Sequence, residues 1–132
     1  MLMEGRGYDP VRNCWSYGVA LKEKQEVFIS QNYRHVRVTG DSMGFFSGYT
    51  DLDGNWVFEG DVLRSLLDWS LMEIRFGTHE AYDGSGRQET GFYAVNQGEM
   101  MRLETISLQG KVLVGDVVGN VYECPELKQK GC

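Results

Sequence analysis

The chain has 132 residues, of which 42% are hydrophobic and 24% charged, proportions typical of one soluble globular domain. Its formal net charge is −6 and it has no run of Lys or Arg, which disfavours nucleic-acid binding. No apolar stretch approaches the ~20 residues of a membrane-spanning helix, and the first residues lack the apolar core of a signal peptide. We therefore expect a soluble cytoplasmic protein, without membrane contact.

Glycine is abundant and proline is scarce. Seventeen glycines in 132 residues are nearly twice the usual share of ~7%, whereas there are only two prolines. The glycines are spread along the chain, which indicates many tight turns between short strands and not a disordered linker.

The three cysteines do not form a recognisable pattern. Cys14, Cys124 and Cys132 are odd in number, widely spaced and without a C-x-x-C pair. Secreted disulfide-rich domains normally have an even and denser set. We predict reduced thiols, in agreement with a cytoplasmic protein.

The first 40 residues have the pattern of consecutive strands. The segment CWSYGVAL (14–21) alternates large apolar residues with small ones, a period of two. The segments EVFIS (26–30) and YRHVRVTG (33–40) are rich in β-branched and aromatic residues and flank a Gln-Asn turn. Three strands are therefore predicted here.

The next segment, FFSGYTDLDGNWVFEGDVLRS (45–65), combines an irregular strand with two acidic turns. Gly44, directly before this segment, and Gly48 within it predict a bulge. Asp53-Gly54 predicts a hairpin turn, because glycine supplies the positive φ that such a turn needs. A strand over 56–58 and a second turn at 59–61 follow.

Two segments, 66–69 and 100–108, are compatible with either helix or strand, whereas 71–76 favours a strand. The longest polar stretch, THEAYDGSGRQETG (78–91), predicts a mobile loop. Its Gly84-Ser85-Gly86 lacks the Gly-Lys-Ser/Thr and the following helix of a phosphate-binding loop.

The C-terminal part contains a nearly continuous apolar segment, KVLVGDVVGNVY (111–122), which predicts a buried strand pair or a bent strand. Gly-Asp-Val occurs both here and in EGDVL (59–63), as is frequent at strand entry in small SH3-like barrels. Pro125 suits the first position of a short helix, and residues 128–132 are expected to fray.

Together these elements predict a mainly β fold, α+β at the margin. We expect a small antiparallel, partly open SH3-like barrel with one or two short helices, forming a single domain over residues 5–127.

Three segments resemble the YopX family of small phage and prophage proteins. RGYDPVRNCWSYG (6–18) resembles a pattern of R-G, an acidic residue and W-x-Y-G. GFFSGYTDLDGNWVFEGDVL (44–63) is similar to Q-Y-T-G-L-x-D-K-N-G-x-x-I-Y-E-G-D-I-V, with Ser47 in place of threonine, and GNVYECPEL (119–127) resembles I-G-N-I-Y-E-N-P-E-L. Residues 65–110 have no counterpart. The resemblance implies a phage or prophage origin and a single domain of this type, and it assigns no activity or functional residue.

The densest acidic cluster consists of Asp51, Asp53, Glu59 and Asp61. Carboxylate oxygens are ligands for Mg²⁺ and Ca²⁺, so these four are candidate metal ligands of a small metal-dependent hydrolase. The D-x-D-x-D-G calcium-loop spacing fails, because Tyr49 stands at its first position. Aspartates at turns also bind backbone N–H groups, and we favour this structural role, with no catalytic residue and no cofactor.

Aromatic residues provide the other candidate surface. A domain of this size cannot bury every large ring, and interfaces favour Trp and Tyr. Phe46, Tyr49, Trp56 and Trp69 are the candidate protein contacts. The leading hypothesis is a non-enzymatic phage or prophage accessory protein that contacts an unknown host or phage protein, or itself as a homo-oligomer. Alternatives are the metal-dependent hydrolase and, more weakly, a nucleic-acid-binding barrel.

Overall fold

The computed structural model describes residues 3–80 and 85–129. Within them the chain forms thirteen β-strands and three 3-10 helices, and it has no α-helix. The strands are β1 (Glu4–Asp9), β2 (Cys14–Glu23), β3 (Glu26–Gln31), β4 (Arg34–Val38), β5 (Gly44–Thr50), β6 (Trp56–Phe58), β7 (Asp61–Ser65), β8 (Leu71–Glu80), β9 (Gln88–Asn96), β10 (Glu99–Met101), β11 (Ser107–Leu108), β12 (Val112–Leu113) and β13 (Gly115–Asn120). The 3-10 helices are Gly40–Ser42, Leu103–Ile106 and Pro125–Leu127.

The chain divides into two compact units, residues 1–46 and 47–132, and the boundary lies within β5. The expectation that residues 5–127 fold as a single domain stays a prediction.

In the first unit, β1 to β4 form an antiparallel meander in which each strand pairs with the next. Ala20, Ile29 and Val36 lie opposite one another on three neighbouring strands, and Ile29 is fully buried. These aligned apolar side chains stabilise one face of the sheet. The start of β5 pairs antiparallel with the other edge of β1. The three strands predicted before residue 40 correspond to β2, β3 and β4.

The meander curls so that β1 also approaches β4. The backbone N–H of Thr39 donates to the carbonyl of Tyr8 at 2.9 Å, and the Tyr8 N–H donates to Oγ of Ser42 at 2.8 Å. A Cβ at Gly7 would lie 2.5 Å from Cγ2 of Val38, far inside the optimal separation of two carbon atoms. Position 7 therefore requires glycine.

The second unit contains an antiparallel five-stranded sheet in the order β10-β9-β8-β7-β13. Its longest pairing is the hairpin of β8 and β9, which runs from Glu73 opposite Val95 to Glu80 opposite Gln88. In the same unit, Thr50 of β5 pairs in parallel with Val112 of β12. The buried core consists of Tyr49, Val57, Leu63, Met72, Ile74, Ala94, Leu103, Ile106, Leu113 and Val114.

The predicted mainly β class is confirmed. The described strands do not close into a barrel, because the first and last strands of each sheet do not pair with one another. The expected short helices are 3-10 helices, one of which begins at Pro125. The ambiguous segment 66–69 is a turn, and 100–108 contains the end of β10, a 3-10 helix and β11.

The prediction of a mobile loop over 78–91 is wrong at both ends of this segment, residues 78–80 and 88–91, which belong to strands. β8 continues to Glu80 and β9 begins at Gln88, and the hydroxyls of Thr78 and Thr90 lie 2.9 Å apart across the hairpin. Pairing between two strands satisfies the backbone N–H and C=O groups even where the side chains are polar. Polar composition alone therefore does not indicate a loop. Residues 81–84, including Gly84 of the Gly-Ser-Gly segment, lie outside the described residues.

The C-terminal segment is held in place as far as Gln129. Its N–H donates to Oε1 of Glu73 at 2.8 Å, and its carbonyl accepts from Nη2 of Arg75 at 2.6 Å. The remainder of the tail that was expected to fray, residues 130–132, lies outside the described part of the chain. Cys14 and Cys124 are free thiols. Among the described residues, no helix is long and apolar enough to cross a membrane.

Candidate functional site

The side chain of Asp51 organises the first acidic turn. Its Oδ1 accepts the N–H groups of Asp53 and Asn55 at 3.0 and 2.8 Å. Its Oδ2 accepts Nδ2 of Asn55 at 3.1 Å and the N–H of Val117 at 3.0 Å. Burial of this carboxyl, which is 1% exposed, would raise its pKa, but the hydrogen bonds from Val117, Asn55 and Asp53 hold the pKa below its ordinary value. Asp51 therefore acts as an ionised acceptor of backbone groups.

Asp61 has the same role in the second turn. Its buried carboxylate accepts the N–H of Phe58 at 2.8 Å, across the turn formed by Glu59 and Gly60. Glu59 is half-buried and Asp53 is exposed. The four acidic candidates thus lie in two turns, and the two buried ones accept backbone hydrogen bonds.

No group of three or more His, Cys, Asp or Glu side chains among residues 3–80 and 85–129 is placed to hold a metal ion. The metal role of Asp51, Asp53, Glu59 and Asp61 stays a prediction, and the observed hydrogen bonds give a structural reason for the two buried carboxylates.

Asp116, which the sequence did not single out, lies beside the first turn. Burial, the negative charges of Asp53 and Asp51 and a hydrogen bond with Asp53 raise the pKa of Asp116. Its Oδ1 is buried and has no hydrogen-bond partner in the described part of the chain. Asp116 belongs to one of the two Gly-Asp-Val matches in the sequence. These matches predicted only the start of a strand, and they did not indicate that Asp116 would lie close to Asp53.

The four aromatic candidates have different environments. Tyr49 is 6% exposed and belongs to the buried core, and Nζ of Lys111 lies 4.7 Å from its ring centroid. Phe46 is half-buried. Trp56 is exposed and its ring centroid lies 6.4 Å from that of Phe58. Trp69 is 65% exposed, the largest fraction of the four.

Trp69 lies in a turn, residues 65–70, that joins β7 to β8 and that we call the apolar turn. Leu66 and Leu67 of the same turn are 51% and 77% exposed. Three large apolar side chains thus meet solvent within four consecutive residues. Such a cluster is typical of an interaction site, whereas exposed apolar residues that occur singly need no explanation.

Hydrogen bonds hold the apolar turn in one conformation. Ser65 accepts the N–H of Trp69 at its carbonyl and the N–H of Leu67 at its Oγ, at 2.9 and 3.1 Å. Nη1 of Arg64 donates to the carbonyl of Trp69 at 2.8 Å. The hydroxyl and N–H of Ser70 donate to Asp68 and lower the pKa of its carboxyl. The exposed side chains are therefore carried by an ordered backbone.

The backbone of Trp69 is left-handed, with φ at 62°. Only glycine and, less often, asparagine or aspartate adopt this conformation readily, and for another residue it costs about 1–2 kcal/mol. A bulky, mostly exposed residue at such a position gains little from burial to offset this cost. Strain of this kind is found preferentially at functional sites.

Comparison with known proteins gives no match to any family model, curated protein or solved structure.

Proposed function

We propose that this protein is a non-enzymatic binding protein of phage or prophage origin, and that its apolar turn inserts into a groove of a partner protein. The observation that supports this proposal most directly is Trp69, an exposed indole on a hydrogen-bonded turn in a disfavoured backbone conformation. The phage origin rests on the resemblance of three segments to the YopX family.

An ordered turn is suited to binding because little conformational freedom is lost when the partner arrives. Trp is also the residue type most enriched among those that dominate interface energetics. Leu66 and Leu67 of the same turn add exposed apolar area, so the turn has the composition of an interface centre.

The charge of the second unit indicates the chemistry of the partner. Residues 47–132 contain fourteen Asp and Glu and seven Lys and Arg, a formal charge of −7, and Asp68 lies within the apolar turn itself. We therefore propose a partner with an apolar groove bordered by basic side chains, whose charges would speed association and favour the correct orientation.

The alternative, a small metal-dependent hydrolase using Asp51, Asp53, Glu59 and Asp61, has less support. Both oxygens of Asp51 already accept hydrogen bonds from protein groups, and Asp61 accepts the Phe58 N–H. Titration of the purified protein with Mg²⁺, Mn²⁺ and Ca²⁺ decides this point, because a bound ion would raise the melting temperature.

The binding proposal is tested by placing a photoreactive amino acid at position 67 and, as a control, at exposed Val118 in bacteria that express the protein. The species crosslinked from position 67 only is then purified and titrated with two variants. Trp69→Gly removes the indole and suits the left-handed backbone, whereas Trp56→Ala removes an exposed indole elsewhere in the unit.

We expect Trp69→Gly to weaken binding by about 2 kcal/mol, roughly 30-fold in Kd, and Trp56→Ala to change it little. Crosslinking of a second copy of the chain would identify the partner as the protein itself. Equal effects of the two variants, or no species specific to position 67, contradict the proposal.

A further inference from the structure

We propose that the first unit binds a nucleoside phosphate, either free or within a single-stranded nucleic acid, in a groove between β2 and the β3–β4 hairpin. The groove has a volume of about 310 Å³, at the lower end of the size range of small-ligand sites, ~300–1,000 Å³. This inference rests on a different surface from the apolar turn and is independent of the proposed function.

Two arginines, Arg12 and Arg34, line the groove, and no Asp or Glu does. The buried carboxylate of Asp9 positions Arg12. Oδ2 of Asp9 accepts a hydrogen bond from Nη1 of Arg12 at 3.2 Å, and Oδ1 of Asp9 accepts the backbone N–H groups of Val11 and Arg12. Burial alone would raise the pKa of Asp9, but these hydrogen bonds hold it below its ordinary value, so the carboxylate stays ionised.

Arg34 enters the groove from the start of β4. It is exposed and forms no ion pair with an acidic residue in the described part of the chain. The planar donors of a guanidinium match phosphate oxygens two at a time, so an uncompensated arginine beside a positioned one favours a phosphate group.

Aromatic rings accompany these cations. Trp15 lines the groove, and two neighbouring side chains contact its ring. The guanidinium carbon of Arg6 lies 4.7 Å from the centroid of the Trp15 ring. The ring of Tyr8 packs edge-on against it, with 5.6 Å between the two centroids and 79° between the ring planes. Gln31 and Asn32 also line the groove, and a side-chain amide has both donors and acceptors for the edge of a base.

Tyr33, at the tip of the β3–β4 hairpin, is the least expected residue of this region. Asn32 and Tyr33 have φ values of 48° and 64°, which correspond to the two central positions of a turn that usually contains Asn-Gly. A tyrosine replaces the usual glycine, and its side chain is fully exposed. It lies in the chain between two residues that line the groove, and an exposed ring beside arginines suits stacking on a base.

The charge balance of the two units favours this placement. Residues 1–46 contain six Lys and Arg and five Asp and Glu, a formal charge of +1, whereas residues 47–132 carry −7. The first unit is therefore nearly neutral, and the acidic charge that opposes an anionic ligand belongs to the second unit.

A matched control is available on the same strand. Arg37 of β4 does not line this groove, is exposed, and lies 3.4 Å from Oε1 of Glu26. Arg34→Glu and Arg37→Glu change the charge of the unit by the same amount. Only the first places a carboxylate in the groove.

The test measures binding of inorganic phosphate, adenosine monophosphate and a short fluorescein-labelled oligothymidylate to the full-length protein and to Arg34→Glu, Arg37→Glu and Tyr33→Gly. We expect the nucleotide or the oligonucleotide to bind more tightly than phosphate, with an affinity that falls as salt is raised. Arg34→Glu and Tyr33→Gly should each weaken it about tenfold, and Arg37→Glu much less.

The tighter of the two probes identifies whether the ligand is a free nucleotide or a single strand. Tyr33→Gly is compatible with the positive φ at this position, so loss of the fold would not explain its effect. The proposal is overturned if neither probe saturates at millimolar concentration, if phosphate binds as tightly as both, or if Arg34→Glu or Tyr33→Gly has no larger effect than Arg37→Glu.

Discussion

The backbone N–H of Val117 donates a hydrogen bond to Oδ2 of Asp51 at 3.0 Å, although the two residues are 66 positions apart in the chain. A single carboxylate thus orders the acidic turn and also connects that turn to β13. Because Asp51 is buried, loss of this acceptor would leave N–H groups without a partner away from water.

Asp51→Asn should lower the free energy of unfolding by about 1–3 kcal/mol, because an amide cannot accept hydrogen bonds at both of its polar atoms. Urea unfolding followed by tryptophan fluorescence measures this change. Asp53→Asn, at an exposed position of the same turn, should cause no comparable loss. Similar losses in both variants would show that the turn does not depend on Asp51.

The carboxylate of Asp51 should also make the stability of the protein depend on pH, with less stability at acidic pH. The pKa of Asp51 is lower in the folded chain than its ordinary value of 3.8, so its contribution to stability is complete above pH 3.8 and is lost as pH falls through the folded pKa. The difference in stability between the wild type and Asp51→Asn should therefore shrink below pH 3.8. A difference that is constant down to pH 2 would contradict this account.

Asp116→Asn should stabilise the protein at neutral pH, with the opposite pH dependence. The pKa of Asp116 is higher in the folded chain than its ordinary value of 3.8. The free energy of unfolding therefore falls as the pH rises from 3.8 through the folded pKa, and it stays lower at higher pH. Asparagine resembles the protonated carboxyl and removes the repulsion from Asp53 and Asp51.

Melting temperatures of the wild type and Asp116→Asn at neutral pH and below pH 3.8 test this prediction, and the gain should be confined to the higher pH. Asp68→Asn is the matched comparison, since Ser70 lowers the pKa of Asp68, and this variant should lose stability at neutral pH instead. A destabilised Asp116→Asn at neutral pH would refute the prediction.

Glu73→Gln should release the C-terminal segment. Buried Glu73 accepts two hydrogen bonds from Arg75 at 3.0 Å and one from the Gln129 N–H, and Arg75 in turn binds the Gln129 carbonyl. Removing one partner of a buried ion pair leaves the other without compensation and costs about 3 kcal/mol.

Hydrogen exchange at the Gln129 amide should become faster in Glu73→Gln, together with a loss of global stability. Glu26→Gln is the control, because the Glu26–Arg37 pair is exposed and such pairs contribute only about 0–1 kcal/mol. Unchanged protection of Gln129 would show that other contacts hold the segment.

Gly7→Ala should destabilise the first unit, because the added Cβ would lie 2.5 Å from Cγ2 of Val38. Overpacking of this kind costs about 1–3 kcal/mol. Val38→Ala makes room for the new methyl group, so the double variant should be less destabilised than the sum of the two single variants. Strictly additive effects in chemical denaturation would indicate that the two positions are not in contact.

Local features of the sequence predicted much of the fold. The strand over CWSYGVAL, the Asp53-Gly54 turn and the short helix at Pro125 all appear in the structure, because a strand period, a positive φ and a fixed proline φ act on adjacent residues. The alternation did not predict which side chains of that strand are buried, since Ser16 is buried and Tyr17 is 47% exposed. Polar composition was misleading at 78–80 and 88–91, where it predicted a loop although these residues pair as the two strands of a hairpin.

The candidate sites depended on contacts between distant residues, which the sequence does not contain. Among the aromatic candidates, Tyr49 is buried and Trp69 exposed, although both are aromatic residues beside turn residues. Asp116 lies beside Asp53 only because β13 passes the acidic turn, and no spacing in the chain predicts that approach.

By itself, then, the sequence determined that this chain forms short strands joined by glycine and aspartate turns, because side-chain periodicity and backbone φ preferences act within a few residues. Only the tertiary structure decided which carboxylates are buried acceptors and which rings reach solvent. Burial and electrostatic neighbourhood arise when segments far apart in the chain pack together, as Asp51 and Val117 do.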